Sequence, residues 1–206
     1  MTIEVRRAGD RFVTRAEGRT TWHSFSFGSH YDPANVGFGA LVAHNDEQLP
    51  PGTGYPDHPH RDVEIVTVVL DGALRHADSS GSTDVLVPGR ISRTSAGSGI
   101  VHAEVAEPGV ATRFVQTWLR PDEPGGPSSY AVSEVEPTPF AEVVGPEGAL
   151  TVGTSGARLH VGHLMGGTVS LPDAPLLHLF VPAGVVDLGD RELEPGDAAR
   201  LTDEGG

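Results

Sequence analysis

Two short segments, His58-Pro59-His60 and His102-Ala103-Glu104, carry the residue types that bind transition metals. In a β-strand, residues i and i+2 point to the same face about 6.6–6.8 Å apart, and neighbouring strands lie about 4.8 Å apart. Two such pairs on neighbouring strands would place four donor groups at the corners of a small rectangle. One ion above its centre could be reached by all four donors through bonds of about 2.0–2.2 Å. The spacing is therefore compatible with one mononuclear metal site.

Each pair alone is a weak signal, because ten histidines in 206 residues generate such spacings by chance. Pro59 strengthens the first pair, since the residue before a proline is driven out of the helical region and His58 should then share a face with His60. Proline also favours the start or edge of a strand, which predicts a position at the mouth of a barrel. Glu64 has the same parity as both histidines, and it could be a ligand or could orient a histidine N–H.

The other seven histidines are interpreted as structural residues. We expect surface or hydrogen-bonded roles for them, and they are His23, His30, His44, His76, His160, His163 and His178. A hydrolase triad is not expected either, because no G-x-S-x-G segment joins a strand to a helix. The segment Gly97-Ser98-Gly99 is interpreted as a tight turn that aims the strand of His102.

The elements that must position these residues are short strands. Segments rich in Val, Thr, Phe and Leu, such as 24–27, 63–70, 100–105 and 112–119, are divided by glycine turns every eight to twelve residues. No stretch has helical periodicity. The pattern predicts an all-β protein, an antiparallel sandwich or barrel.

The chain is predicted to divide near the proline- and glycine-rich segment 120–127. Residues 1–120 hold 14 acidic residues and 11 arginines, a net charge of −3, whereas residues 121–206 hold 14 and 3, a net charge of −11. A weak repeat links a turn, hairpin and Pro-Gly turn in the first half (70–91) to a shorter copy in the second (181–198). We therefore expect domains at 1–120, with the metal site, and 121–206, the second degenerate and either stunted or truncated.

The composition excludes several chemistries. All 14 basic residues are arginine, so the chain has no Schiff-base or P-loop lysine, and with no cysteine it has no thiol nucleophile and no iron–sulfur cluster. A net charge of −14 argues against direct binding of nucleic acid or an anionic membrane. The apolar runs are shorter than the ~20 residues of a membrane span, and no signal segment is evident, so a cytoplasmic protein is expected.

The segments His58-Pro59-His60-Arg61-Asp62-Val63-Glu64 and 95–104, with Trp22-His23-Ser24-Phe25-Ser26-Phe27, resemble the pirin family of the cupin superfamily. The resemblance covers residues 15–120 and implies a bicupin, two jelly-roll β-barrels of which the second is degenerate here. It also implies one metal ion bound by His58, His60, His102 and Glu104. Iron(II) is the expected ion, and nickel, cobalt, manganese, copper or zinc could replace it.

Several pirin-like proteins are quercetin 2,3-dioxygenases, so the resemblance implies a dioxygenase that opens the heterocycle of a flavonol with O2. In that reaction Glu104 would take the proton of the 3-hydroxyl as general base. Two alternatives stay open. The first is a non-catalytic, iron-sensing interaction module with a protein partner, and the second is a purely structural metal site. A monomer is favoured over an oligomer.

Overall fold

The computed structural model describes residues 2–16, 18–135 and 140–203. Regular structure in these residues is β-strand apart from one 3-10 turn at Ala8–Asp10, which confirms the all-β prediction. None of the described segments is a helix with the length and apolar character needed to cross a membrane. The strands are β1 (Thr2–Arg6), β2 (Phe12–Ala16), β3 (Arg19–His23), β4 (Leu41–Leu49), β5 (Gly54–His60), β6 (Glu64–Asp71), β7 (Leu74–Asp78), β8 (Thr83–Leu86), β9 (Arg90–Ser95), β10 (Ile100–Ala106), β11 (Thr112–Leu119), β12 (Ser129–Glu134), β13 (Phe140–Val144), β14 (Leu159–Gly162), β15 (Leu176–Phe180), β16 (Val186–Asp187), β17 (Glu192–Leu193) and β18 (Ala198–Thr202).

Two antiparallel sheets with a shared core form the larger part of the fold. Seven strands make the larger sheet, in the order β12-β9-β6-β11-β4-β3-β2, and four make the smaller one, in the order β5-β10-β7-β8. Val69 and Phe114 of the larger sheet lie in one buried cluster with Leu74, Leu86 and Ala106 of the smaller sheet. The two sheets therefore pack face to face, and both strands with the predicted ligands, β5 and β10, belong to the smaller one.

Alternation along β10 decides which side chains enter the space between the sheets. Ile100, His102, Glu104 and Ala106 are buried, and the residues between them are half-buried or exposed. The two apolar members anchor the strand in the core, and the side-chain period of two then turns His102 and Glu104 to the same interior face.

The loop before β10 has the tight backbone that the sequence predicts there. Gly97 has a φ of +49°, and a Cβ at this position would overlap the carbonyl oxygen of Gly126. The Ser98 N–H donates to that same carbonyl over 2.7 Å, and the Asp62 N–H donates to the carbonyl of Gly97 over 2.9 Å. Glycine thus allows the loop to lie against the segment between β11 and β12, and the hydrogen bond from Asp62 ties the same loop to the turn that follows β5.

Smaller sheets form most of the second half of the chain. Three strands pair in the order β1-β18-β15, and β13-β14 and β16-β17 are two-stranded. A buried cluster of Val181, Leu193, Ala199 and Leu201 forms the centre of this part. Its short strands fit the degenerate second unit expected of the bicupin.

Two strands pair with the half of the chain to which they do not belong by sequence. β1, at the start of the chain, pairs antiparallel with β18, and β12, beyond residue 120, pairs with β9 in the seven-stranded sheet. The division into 1–120 and 121–206 stays a prediction. Of the strand segments named above, 24–27 is wrong: these residues form only an isolated bridge at Phe27, and the strand in this region is β3.

Candidate metal centre

Antiparallel pairing of β5 with β10 brings the two histidine-containing segments side by side. His102 is opposite His58, and Ile100 is opposite His60. The register then shifts between His102 and Glu104, so that Glu104 is opposite Tyr55. Between these two pairings β5 contains one more residue than β10. Such an irregularity changes the direction of nearby side chains.

The three imidazoles of His58, His60 and His102 converge. Their ring centroids are 4.5–4.8 Å apart in every pair, and the Nε2 atoms of His58 and His102 lie 3.1 Å apart. All three offer ligand atoms within 4.8 Å of one another. His102 is fully buried, with an exposed fraction of 1%, and the other two are half-buried.

The protonation states suit cation binding. Burial and the neighbouring imidazoles lower the pKa of His60 to about 4 and that of His102 to about 3, so both rings are neutral at pH 7. His58 Nδ1 lies 2.8 Å from the carbonyl oxygen of Pro56, which only accepts, and the proton is therefore on Nδ1. The Nε2 lone pair of His58 then points to His102. His60 Nε2 is buried without a hydrogen-bond partner among the described residues.

Glu104 converges with His102 but does not belong to the group of donors that His102 forms with His58 and His60. Its Oε2 atom is 3.9 Å from His102 Nε2, and its side chain is 4% exposed. Glu104 and His102 form a second group of converging donors with His76, and the two groups share His102. Gln116 of β11 donates to Glu104 Oε2 over 2.7 Å. Three of the four predicted residues thus form one group, and the fourth, Glu104, belongs to a second group that shares His102 and includes His76.

His76 was predicted to have a structural role, and the structure places it inside this region. It lies opposite Glu104 in the pairing of β7 with β10, is 1% exposed and stacks on Tyr130 with centroids 4.0 Å apart. Its Nε2 atom is 2.9 Å from Asp78 Oδ2. The signal was present in the sequence, since His76 and Asp78 are another i, i+2 pair of ligand-type residues.

Glu64 belongs to neither group of converging donors in the described part of the chain. Its Oε2 atom accepts a hydrogen bond of 2.6 Å from Ser95, on the neighbouring β9. A Cβ on Gly153 would lie 3.0 Å from the other carboxylate oxygen. These contacts place the Glu64 carboxylate against Ser95 and the segment between β13 and β14, and they do not favour it as a ligand.

Several of the remaining histidines have hydrogen bonds or ring contacts elsewhere. His23 Nδ1 is 2.9 Å from Asn45 Oδ1, and His44 Nδ1 is 3.1 Å from Thr117 Oγ1. His44 also contacts the ring of His178 at the boundary between β4 and β15, with centroids 4.9 Å apart. His163 is exposed. His23, His44 and His163 fit the roles expected for them, whereas neither ring nitrogen of His178 has a hydrogen-bond partner among the described residues.

The donor set fits a divalent first-row transition metal. Neutral imidazole suits iron, nickel, copper and zinc, and a carboxylate adds the negative charge that offsets the cation. The Nε2 lone pair of His58 and the unpartnered Nε2 of His60 are acceptors that an ion would satisfy, and His102 Nε2 would join them in the tautomer that carries its proton on Nδ1. Four protein ligands on an ion that accepts six would leave two positions open.

Comparison with known proteins identifies a matching family model and relatives with related names. The family model described as Pirin matches residues 5–119. A Mycobacterium bovis protein, named provisionally as a quercetin 2,3-dioxygenase, is 47% identical over 213 residues that cover 98% of this chain and 87% of the relative. An Escherichia coli protein named quercetin 2,3-dioxygenase is 39% identical over 125 residues, or 60% of this chain and 54% of that protein.

One solved structure extends the likeness to the whole fold. The crystal structure of a bacterial pirin from Escherichia coli in complex with nickel(II) is similar with a TM-score of 0.91 and 30% sequence identity. The similarity covers 98% of this chain and 91% of the other. This similarity agrees with the pair of larger sheets and the group of smaller sheets described above. The predicted bicupin is confirmed. The family model matches more than half of this chain, and the chain therefore belongs to the pirin family.

Proposed function

We propose that His58, His60, His102 and Glu104 hold one divalent transition metal ion. Iron(II) is the ion we favour, with nickel, cobalt, manganese, copper and zinc as candidates to be compared. The observation that carries the proposal is the convergence of three imidazoles with the Nε2 atoms of His58 and His102 only 3.1 Å apart. The nickel bound by the related bacterial pirin supports a divalent ion in this fold.

We further propose that the loaded protein is a dioxygenase that opens the heterocyclic ring of a flavonol such as quercetin with O2. The names of two relatives support this substrate class. A bound ion would supply Lewis acidity and open coordination positions. A cavity of ≈ 410 Å³ borders His60 and is lined also by Arg61, Ser98 and Ile100, and we expect the aromatic substrate to approach from this side.

Glu104 is the residue to which we assign proton transfer. The carboxylate is buried, and its Oε2 atom lies 3.9 Å from His102 Nε2, so it is close to the proposed metal position. It would take the proton of the flavonol 3-hydroxyl as general base, which leaves the electron-rich enolate that reacts with oxygen. Gln116 would hold the carboxylate in place during this transfer through the hydrogen bond to Oε2.

The experiment has two arms. Protein purified without added metal is analysed for its metal content, and apo-protein is loaded with each of the candidate ions. Quercetin absorbance and dissolved oxygen are then followed together. We expect one ion per chain and a metal-dependent loss of both reactants.

Glu104→Gln keeps the size of the side chain but removes the base, and it should abolish this loss. His163→Ala is the matched control, because it removes an exposed histidine. One bound ion per chain without consumption of quercetin or oxygen would overturn the enzyme proposal. That result would favour the non-catalytic interaction module.

A further inference from the structure

Gln116 has both ends of its side-chain amide engaged in the interior. It is 7% exposed and lies on β11, in the larger sheet that faces β10. Its Nε2 atom donates to Glu104 Oε2 over 2.7 Å and approaches Thr67 Oγ1 at 3.3 Å. Its Oε1 atom accepts a hydrogen bond of 2.8 Å from Trp118 Nε1.

Trp118 fixes the direction in which this amide points. An indole N–H can only donate, so the atom of Gln116 that faces it must be the oxygen. The NH2 group is then turned to Glu104, and it can only donate. The Glu104 oxygen that meets it must therefore be an acceptor. The amide orientation follows from chemistry on both sides, which removes the usual ambiguity between the oxygen and nitrogen of a glutamine.

Trp118 also contacts a second member of the candidate site. Its ring meets that of His60 edge to face, with centroids 4.9 Å apart and an interplanar angle of 84°. Gln116 and Trp118 are two residues apart on one strand, so they share a face. Through them, β11 contacts both His60 of β5 and Glu104 of β10.

We propose that Gln116 is a positioning residue that holds Glu104 as a hydrogen-bond acceptor beside His102, with its own orientation set by Trp118. The inference rests on the proposed metal site and names a residue outside the ligand set. Partners of this kind orient ligands of metal sites, and their loss typically costs about 10–100-fold in metal affinity.

The test measures metal binding without turnover. Apo-protein is titrated with Co(II), and both the affinity and the visible absorption of the bound ion are recorded. Gln116→Met keeps the length of the side chain but cannot donate, and we expect about 10–100-fold weaker binding and an altered Co(II) spectrum. Gln48→Met, at an exposed glutamine of β4, is the matched control and should change neither.

A second variant covers the case in which Gln116→Met does not fold. Trp118→Phe removes the indole donor and leaves the amide free to rotate, so it should alter the Co(II) spectrum with a smaller loss of affinity. Wild-type affinity and spectrum in both variants would overturn the inference. The same would follow if the variants changed only thermal stability, with an unchanged spectrum for each bound ion.

The two proposals can fail separately. If the wild-type protein binds Co(II) and Gln116→Met disturbs that binding, the positioning role stands even when quercetin is not consumed. If wild-type protein consumes quercetin while Gln116→Met binds Co(II) normally, the positioning role alone is overturned. If the wild-type protein binds no metal at all, both are overturned.

Discussion

The Nε2 atoms of His58 and His102 lie 3.1 Å apart on neighbouring antiparallel strands. The Pro56 carbonyl holds the proton of His58 on Nδ1, so the lone pair of its Nε2 atom faces His102. Burial keeps His102 neutral by lowering its pKa to about 3. A cation between the two atoms would replace the hydrogen bond that their separation allows, and the His102 proton would then be on Nδ1.

The two candidate glutamates should differ sharply in their effect on metal binding. Glu104 lies beside His102, whereas Glu64 accepts a hydrogen bond from Ser95 and belongs to neither donor group in the residues described. We expect Glu104→Ala to lose metal affinity much more severely than Glu64→Ala. Equilibrium titration of the two apo-proteins with the same ion measures the difference. Equal losses, or the reverse order, would show that the glutamate assignment is wrong.

Trp118 should report occupancy of the site by its fluorescence. Its ring contacts His60, and a paramagnetic ion bound by that imidazole would quench a neighbouring indole. The only other tryptophan is Trp22, so the variant Trp22→Phe leaves Trp118 as the single indole emitter. We expect its emission to fall as Ni(II) or Cu(II) is added, with saturation at one ion per chain. Emission that stays constant while elemental analysis finds bound metal would place the ion elsewhere.

The close approach of β5 to β10 at Gly54 should be required for the site. A Cβ at Gly54 would overlap the carbonyl oxygen of Glu104, so Gly54→Ala must push the two strands apart. We expect a loss of roughly 1–3 kcal/mol in the free energy of unfolding and weaker metal binding, since the variant overpacks a fitted contact. Denaturant unfolding and metal titration measure the two effects.

Gly126→Ala is the matched control for this substitution. Nothing lies within 4 Å of a Cβ at Gly126, and its backbone is not in the left-handed region. Its stability and metal affinity should stay near those of the wild type. If the two alanine variants behave alike, the close strand contact does not position the ligands.

Histidine burial between β4 and β15 should make the protein less stable in acid. Burial lowers the pKa of His44 to about 4, with Asp46 opposing and Arg11 reinforcing the shift, and His178 lies beside it. The unfolded chain binds a proton at this residue below about pH 6.5, and the folded protein does so only near pH 4. The contribution of His44 to the free energy of unfolding is therefore greatest above pH 6.5, and it falls by about 3 kcal/mol as the pH drops to 4.

Comparison with a variant isolates this contribution. Burial raises the pKa of Glu47 to about 7, and that residue acts with the opposite sign, because it destabilises the folded state as the pH rises from 4.5 to 7. The difference between wild type and His44→Gln in the free energy of unfolding, measured from pH 4 to pH 8, removes the effect of Glu47. We expect the variant to have a shallower acid limb. Parallel curves would contradict the prediction.

Local patterns were enough to predict part of this architecture. The alternation in β10 and the extended conformation imposed on His58 by Pro59 are properties of a few adjacent residues, and the two pairs do lie on neighbouring strands. The expected rectangle of four donors is not formed, because the register shift places Glu104 opposite Tyr55. Gln116 carries no local signal of this kind, and the i, i+2 pair of His76 with Asp78 does not reveal which strand it will face. Gln116 and His76 reach Glu104 from β11 and β7, and no local pattern states which strands become neighbours or face each other.

Long-range pairing also explains the misplaced elements. Residues 24–27 have strand-forming side chains, yet the pairing with β4 runs over Thr20 to His23 of β3 and ends where the Ser24 N–H donates to the His44 carbonyl. The pairing of β1 with β18 joins the two ends of the described chain, and nothing in either segment alone predicts its partner. Strand propensity depends on the neighbouring strands that are available, so tertiary context decides such cases.

An anomalous difference map from crystals of the metal-loaded protein, recorded at the absorption edge of the bound ion, tests the central claim most directly. We predict one peak per chain, about 2.0–2.2 Å from nitrogen atoms of His58, His60 and His102 and from a carboxylate oxygen of Glu104. A peak bound by His76 without His58 and His60, or no peak in this region, would contradict the proposed site.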